Sequence, residues 1–565
     1  MQPITTILWL FSFLGYAWFL VKKCKLPLPV VPIIEMCGLT LGVYVFSLLG
    51  GMLAGRWILI AVGIVLGIWM IIAHSREMLR WGVLFFIVAC TLLYCRYHDS
   101  LLLAYDDFSH WGMLVEHLLK YDALPDATAE LIAFQSYPPA SALWVYYVCS
   151  FLGGSEGIML SAQAWLVLAG MLPIAALAGE NNRASKLMGL VAPILVILSL
   201  FQGTASLMVD NLLASLAVGA FALALKSSDP QTHYEWTLAV LLTMLCLVKD
   251  SGLFFAAVVY VAFLFLMSHK KSVRKNWKRL IPPIAFPVLG RLTWWVHLKL
   301  VFPAAGLTRH AMSVENMRRM GSDKSYADLF SLCKSVFTRA ASIENQVAQA
   351  LVLMIIICVI VVTARYINTR RLNVGREIWL IGGALIAYIA YLFALWAMYA
   401  FTLSLQTAEQ LVAFERYNST FALFIYGATA GYALFSQKSE SARTLALVLS
   451  LVLTLPLCIP SWHSGLNRLL KENYEIPLRN QMVVLRDKRP LKSGESAGFY
   501  LPNTEVDPTY ALYMARYTYQ STGIKIYLDT ELLSQELPAV LYMSKRNDNV
   551  LRAVADHPVE VITLN

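Results

Sequence analysis

The residues best suited to chemistry lie in "LLLAYDDFSHWGMLVEHLLKYDALP" (Leu101–Pro125), where Asp106 and Asp107 stand side by side just past an apolar run. A carboxylate in such a setting can take the proton of an attacking hydroxyl. His110 follows Asp106 by four positions, which on a helix puts both near one face; Phe108, Trp111, Val115 and Leu118 fall near another. The pattern predicts a helix lying in the membrane interface, its aromatics in lipid and its acids toward water or a cavity. Neighbouring helix positions diverge by about 100°, so the two aspartates should not grip one atom. One would act as base and the other orient it or bind something else, Asp107 being preferred as base if the helix begins there.

Other ionisable groups interrupt apolar runs. Asp210 stands in "SLMVDNLLASLAVGAFALAL", Lys249 and Asp250 in "MLCLVKDSGLFFAAVVY", and Glu415 and Arg416 in "QLVAFERYNST". A charge at mid-helix costs roughly 2.5–3.5 kcal/mol to insert, so such residues usually face a cavity or a partner. Simpler roles are open for each. Two acids in a loop can be solvated, Lys249 and Asp250 can pair as neighbours, and Glu415 can cap a helix start.

The elements that must position these groups are membrane helices. Of 565 residues 58% are hydrophobic and only 14% charged, against about a quarter charged in soluble domains. Apolar runs of about 17–25 residues recur, enough to cross about 30 Å of hydrocarbon. The first, Ile4–Val21, is followed by "KKCK" instead of a small-residue cleavage site and reads as a helix, not a signal peptide. The nine cysteines show no CxxC spacing, which predicts neither a disulfide framework nor a zinc site. The net charge of +10 belongs to cytoplasmic loops and does not indicate nucleic-acid binding.

"HKKSVRKNWKR" (His269–Arg279) carries six Lys/Arg and "RYINTRRLNVGR" (Arg365–Arg376) four, with no acid in either. Both should be cytoplasmic, together with Lys22–Lys25, His74–Arg80, Asn181–Lys186 and Gln437–Arg443. By parity residues 98–140, 301–345, 405–416 and everything after 461 fall outside, so every acid and base named above reaches one face. Tyr137–Gly154 breaks the parity as a full span and is expected to be half-buried or re-entrant. The expected fold is mainly α: a polytopic transmembrane bundle of about 14 helices with a small extracytoplasmic α/β domain. Residues 1–97 are N-terminal transmembrane helices. Residues 98–140 form an outer loop with a juxtamembrane helix and the acidic pair. Residues 141–460 are the helical core with outer loop 301–345, and 461–565 the α/β domain. In that tail "AGFYLP", "IKIYLD", "AVLYMS" and "VEVITL" read as strands between helical stretches. No internal repeat is evident.

These features resemble the GT-C superfamily of membrane glycosyltransferases, which use polyprenyl-phosphate-linked sugars and include the protein mannosyltransferases and the aminoarabinose transferases of lipid A. The likeness covers residues 100–270 and the general layout. Asp106-Asp107 is similar to the family's acidic pair in its first large outer loop. "YPPASALWVYYVCSFLGGSEG" (Tyr137–Gly157) is similar to an aromatic-Pro-Pro element with a Gly-x-Ser-Glu turn. Asp210 and Lys249 match an acid and a lysine at the outer ends of later helices. Three spans precede the one leading to Asp106, where many members have one, and Arg291–Gln346 matches no family element.

The resemblance implies transfer of a sugar from a polyprenyl phosphate to a hydroxyl on an extracytoplasmic glycan, polymer, lipid or protein, at the outer face of a multi-pass protein in the cell membrane. Asp106 or Asp107 would be the base; Lys249, Arg309, Arg318, Arg319 and Arg416 are candidates for the donor phosphate; His110, Tyr137, Asp210, Asp250 and Glu415 would support them. Direct attack implies inversion. No cofactor is required by the residues, though a divalent ion on Asp106 or Asp107 stays open. Two rivals use the same features: a transporter or flippase of lipid-linked glycans, and a polysaccharide polymerase or ligase working through "GLTRHAMSVENMRRMG" (Gly306–Gly321), with Arg309 and His310. A purely structural or assembly role is a last alternative.

Overall fold

The computed structural model describes residues 2–73, 81–177, 205–228, 233–269, 277–302, 318, 321–322, 324–372, 374–436, 477–492, 494–501, 507–543, 545–555 and 557–563. Arg309, His310 and Arg319 lie outside them, as do the loops Asn181–Lys186 and Gln437–Arg443.

The chain opens with α1 (Gln2–Lys22), α2 (Val31–Leu48), α3 (Met52–Ile72) and α4 (Trp81–Tyr97). A short α5 (Gly112–Tyr121) follows the acidic pair and leads to α6 (Ala140–Leu152) and α7 (Glu156–Met171). Then come α8 (Asp210–Ser227), α9 (Glu235–Val248), α10 (Gly252–His269) and α11 (Pro282–Val301). Next are α12 (Tyr326–Ala340), α13 (Gln346–Thr369), α14 (Gly375–Thr402), α15 (Leu405–Glu409) and α16 (Phe414–Ser436). Among the described residues seven helices are long and apolar enough to cross a membrane. The protein is thus a polytopic helical membrane protein.

Burial separates the helices by role. Every residue of α7 after Glu156 is buried, and nearly all of α8 and α9. They form the inner core, with α16 packed against α8 and α13. By contrast α3, α11 and α14 carry rows of exposed large apolar side chains, among them Ile58, Val65, Ile72, Val296, Leu300 and Ile386. Water would penalise so much apolar surface; hydrocarbon does not. Small residues set the closest approach. A Cβ on Gly15 of α1 would lie 2.2 Å from the Gly63 carbonyl of α3, a backbone-to-backbone seam typical of membrane helices.

Tyr137–Gly154 contains only the 13-residue α6, about 20 Å long at 1.5 Å per residue and short of the ~30 Å of hydrocarbon. It is enclosed by protein along almost its whole length. The break in parity therefore falls on a segment too short to cross on its own.

From Pro477 the chain is an α/β unit: α17 (Pro477–Lys488), β1 (Ala497–Tyr500), α18 (Pro508–Tyr519), β2 (Ile524–Tyr527), α19 (Thr530–Gln535), β3 (Val540–Met543), α20 (Asp548–Val554) and β4 (Glu560–Thr563). The strands form one parallel sheet, order β2-β1-β3-β4, with Ala497 opposite Ile524 and Val540. The four strands read from the sequence are these four, and parallel pairing follows from a helix between each consecutive pair.

Candidate active site

The acidic pair sits where the backbone changes pitch. Asp107–Trp111 forms a π turn, closed by the Gly112 N–H donating to the Asp107 carbonyl, before α5 resumes α geometry. Such widened turns recur at functional sites. The two carboxylates part as adjacent residues must. Asp107 turns inward and is fully buried. Its Oδ1 accepts from the Leu207 N–H at 2.9 Å and the Ser206 hydroxyl at 3.1 Å, while Oδ2 is buried with no hydrogen-bond partner. Burial pushes this carboxyl up to about 8, against the lowering effect of those two bonds. The shift favours the protonated form, whose proton Oδ2 has room to carry.

Asp106 turns toward cations. Its Oδ2 accepts from Arg416 Nη1 at 2.7 Å. Arg416 Nε lies 3.6 Å from Asp210 Oδ2, and Lys249 Nζ donates to Asp210 Oδ1 at 3.3 Å. Both cations lie near the Tyr417 ring, at 5.2 Å and 5.5 Å from its centroid. Burial raises the Asp106 carboxyl, while His110 when charged, then Arg416 and Lys249, and the hydrogen bond from Arg416 lower it; the net shift is downward from the ordinary carboxylate value. The side chains of Asp106, Arg416 and Lys249 are 23%, 19% and 15% exposed, so the cluster is neither solvated nor sealed. Arg416 Nε is buried and without a hydrogen bond.

Local sequence explains how four distant segments meet. Asp210 is the first residue of α8, and Asp107 clamps the two residues, Ser206 and Leu207, that lead into it. Lys249 ends α9 in an extended conformation. Successive side chains of extended backbone point to opposite sides, so Lys249 reaches Asp210 while Asp250 pairs with Arg291 of α11. The neighbour pairing open for Lys249 and Asp250 is not formed. Arg416 lies one turn into α16, which packs on α8.

The remaining candidates divide. His110 is buried among Trp111, Phe134 and Tyr137, with Nδ1 at 2.8 Å from the Ser109 hydroxyl. Burial pushes it down to about 3, so it is neutral near pH 7. Tyr137 belongs to the same aromatic wall. Glu415 points away from the cluster, half-exposed, to Arg339 at 2.9 Å. Arg318 is exposed and makes none of the cluster's contacts. Arg291 is not among the candidate residues above, although a lone arginine in "PPIAFPVLGRLTWWVHLKLV" is the signal that marks it.

The expectation that the aromatics of this face, Phe108 and Trp111, lie in lipid is overturned: both are buried in protein, as are Val115 and Leu118 beside them. Phe108 lies under α18, 5.8 Å from the Tyr510 ring and 5.4 Å from Tyr517, with the Arg479 guanidinium 5.6 Å from its centroid. Arg479, from α17, is 1% exposed and donates to Glu156 Oε1 at 2.6 Å; Glu156 Oε2 accepts the Leu102 N–H at 2.5 Å. Gly157 completes the docking, since a Cβ there would lie 2.2 Å from the Tyr97 carbonyl. The "GSEG" turn thus ties the α4 end, the loop before Asp106 and the α/β unit together.

A divalent ion at Asp106 would compete with the guanidinium for the same oxygen, and Asp107 is enclosed. Among the described residues no three His, Cys, Asp or Glu side chains converge to hold a metal. The donor set, two carboxylates interleaved with two cations, does not fit a metal cage.

No family model and no curated protein matches the chain. Among solved structures it is similar to the archaeal oligosaccharyltransferase AglB from Archaeoglobus fulgidus, in complex with an inhibitory peptide and a dolichol-phosphate. The TM-score is 0.40 at 10% identity, covering 86% of this chain and 70% of that one. It is also similar to ArnT from Cupriavidus metallidurans, in the apo state (TM-score 0.37, 12% identity, 84% and 94% covered) and bound to undecaprenyl phosphate (0.34, 12%, 85% and 89%). At such scores the correspondence is a loose one of layout.

Proposed function

We propose that the chain is a membrane glycosyltransferase that moves a sugar from a polyprenyl phosphate to an acceptor hydroxyl, with Asp106 as base and Arg416 and Lys249 on the donor phosphate. The observation that carries this is the part-exposed cluster Asp106–Arg416–Asp210–Lys249 at the end of an apolar bundle. The acceptor oxygen attacks the anomeric carbon and Asp106 takes its proton. The bond from that carbon to the phosphate oxygen breaks, and its electron pair stays on the phosphate, held by the cations. The products are an inverted glycoside and the polyprenyl phosphate.

Two cations balance two carboxylates in the resting cluster, so an arriving phosphate must compete for Arg416. A phosphate that draws the guanidinium away frees Asp106 from its counter-ion at the moment a base is needed. Arg416 Nε–H, buried 3.6 Å from Asp210 Oδ2 without a hydrogen bond, is a donor that such a shift of the guanidinium would uncover. The basic loops His269–Arg279 and Arg365–Arg376 support an outer-face site.

The test is purified full-length protein with polyprenyl-phosphate hexose and a panel of envelope glycans, lipids and peptides, read as released lipid phosphate. Wild type should form a glycosidic bond, and Asp106→Asn should bind the donor without turning it over. A wild-type protein that forms no such bond with any acceptor, while moving lipid-linked glycan across a bilayer, is a transporter.

A further inference from the structure

Tyr105, immediately before Asp106, is 38% exposed and stands at the seam with the α/β unit. Its ring meets Tyr513 edge-on at 5.2 Å and stacks over Tyr510 at 6.5 Å. Tyr510 is pinned by its hydroxyl donating to the Leu103 carbonyl at 2.7 Å, and both α18 tyrosines are only half-buried. Exposed Asp507 opens α18, its side chain accepting the Tyr510 N–H at 2.9 Å. Three tyrosines from two parts of the chain therefore form an aromatic step beside the carboxylate assigned as base.

We propose that this step is the acceptor subsite and that the acceptor is a neutral glycan whose sugar ring stacks on Tyr105. This rests on Asp106 being the base. A pyranose offers an apolar C–H face for an aromatic ring and hydroxyls at its edge for phenols and carboxylates, and the step offers both. A lipid acceptor calls for an uncharged apolar wall, but Asp106 and Asp507 flank this one. A peptide bound by strand addition needs a sheet edge, and the seam is made by helix α18. Exposed Asp507 at the edge of the step disfavours an anionic glycan. Tyr105 and Asp106 are consecutive but leave the helix in different directions, so a glycan of several rings can rest one ring on Tyr105 and extend another toward the base.

The experiment has a binding arm and a turnover arm. In the first, full-length Asp106→Asn protein in nanodiscs is titrated with neutral tri- and tetrasaccharides of gluco, galacto and manno configuration, followed by saturation-transfer NMR. At least one should bind. Adding Tyr105→Ala should weaken it about five- to tenfold, and Tyr105→Trp, which keeps a ring, should not. In the second, on polyprenyl-phosphate hexose, Tyr105→Ala should raise KM for the saccharide and leave donor KM and kcat unchanged. Turnover with a peptide or lipid acceptor, indifferent to Tyr105, overturns the glycan assignment and leaves the transferase standing. Saccharide binding at Tyr105 without turnover of any acceptor overturns the transferase and leaves the subsite. A Tyr105→Ala protein that is merely less stable, with saccharide binding unchanged, makes Tyr105 an interfacial anchor and overturns the subsite.

Discussion

At the residue scale, the adjacent aspartates are chemically different groups. Asp106 is ionised and faces cations; Asp107 is buried, shifted toward its protonated form and clamps the approach to Asp210. Asparagine at position 106 removes a base and should lower turnover by about 10²–10⁴-fold, measured as released lipid phosphate. Asparagine at 107 keeps an acceptor for Leu207 and Ser206 and should cost far less. Asp107 also has a pH signature. Its carboxyl lies at about 8 in the fold against an ordinary 3.8, so between those values the fold holds a proton that the unfolded chain has lost. Stability should then fall as pH rises from about 4 to about 8, and Asp107→Asn should flatten that slope in thermal melts. The acids and bases of this site were legible because charge is scarce in an apolar chain. Which aspartate faced the cations was not, because that depends on where residues 206–210 lie, a hundred positions away.

At the element scale, α5 is a helix clamped between two bodies. Asp122 at its end pairs with Arg56 of α3 at 2.8 Å and accepts from Tyr146. At its start, Phe108 lies beneath α18 and the Arg479–Glu156 pair. The amphipathic pattern was right about two faces and wrong about what covers one of them, since a protein domain and a bilayer demand the same apolar residues. The strands were legible because β-rich runs stood out between helices. Arg479 was not, because an arginine in a polar tail carries no mark of burial. Its latch makes a clear demand. Arg479→Met leaves the part-exposed Glu156 with its Leu102 N–H but without its counter-charge, which should weaken the docking of the α/β unit. Limited proteolysis should then release the α/β unit sooner, and turnover should drop although residue 479 touches none of the four cluster side chains. Glu156→Gln in the same protein should restore part of the resistance, since the paired loss leaves no unpartnered carboxylate at the seam.

At the scale of the whole molecule, the site draws on positions 106, 210, 249 and 416, so it exists only when helices from both halves of the chain are packed together. A ligand that bridges Arg416 and Lys249 binds the assembled bundle and not the unfolded chain, and must therefore stabilise it. At a hundred times its dissociation constant the gain is about 2.7 kcal/mol. Undecaprenyl phosphate should raise the thermal midpoint of the detergent-solubilised protein, whereas the matching polyprenol, equally greasy but uncharged, should do so much less. Arg416→Gln and Lys249→Gln should each shrink the phosphate-dependent part and leave the polyprenol effect alone, because those changes touch the anion site and not the lipid-facing walls. Glu415→Gln should leave both effects intact, since Glu415 points to Arg339. Equal shifts from phosphate and alcohol would mean that the bundle recognises the hydrocarbon alone, and that the two cations serve Asp106 and Asp210 rather than a donor.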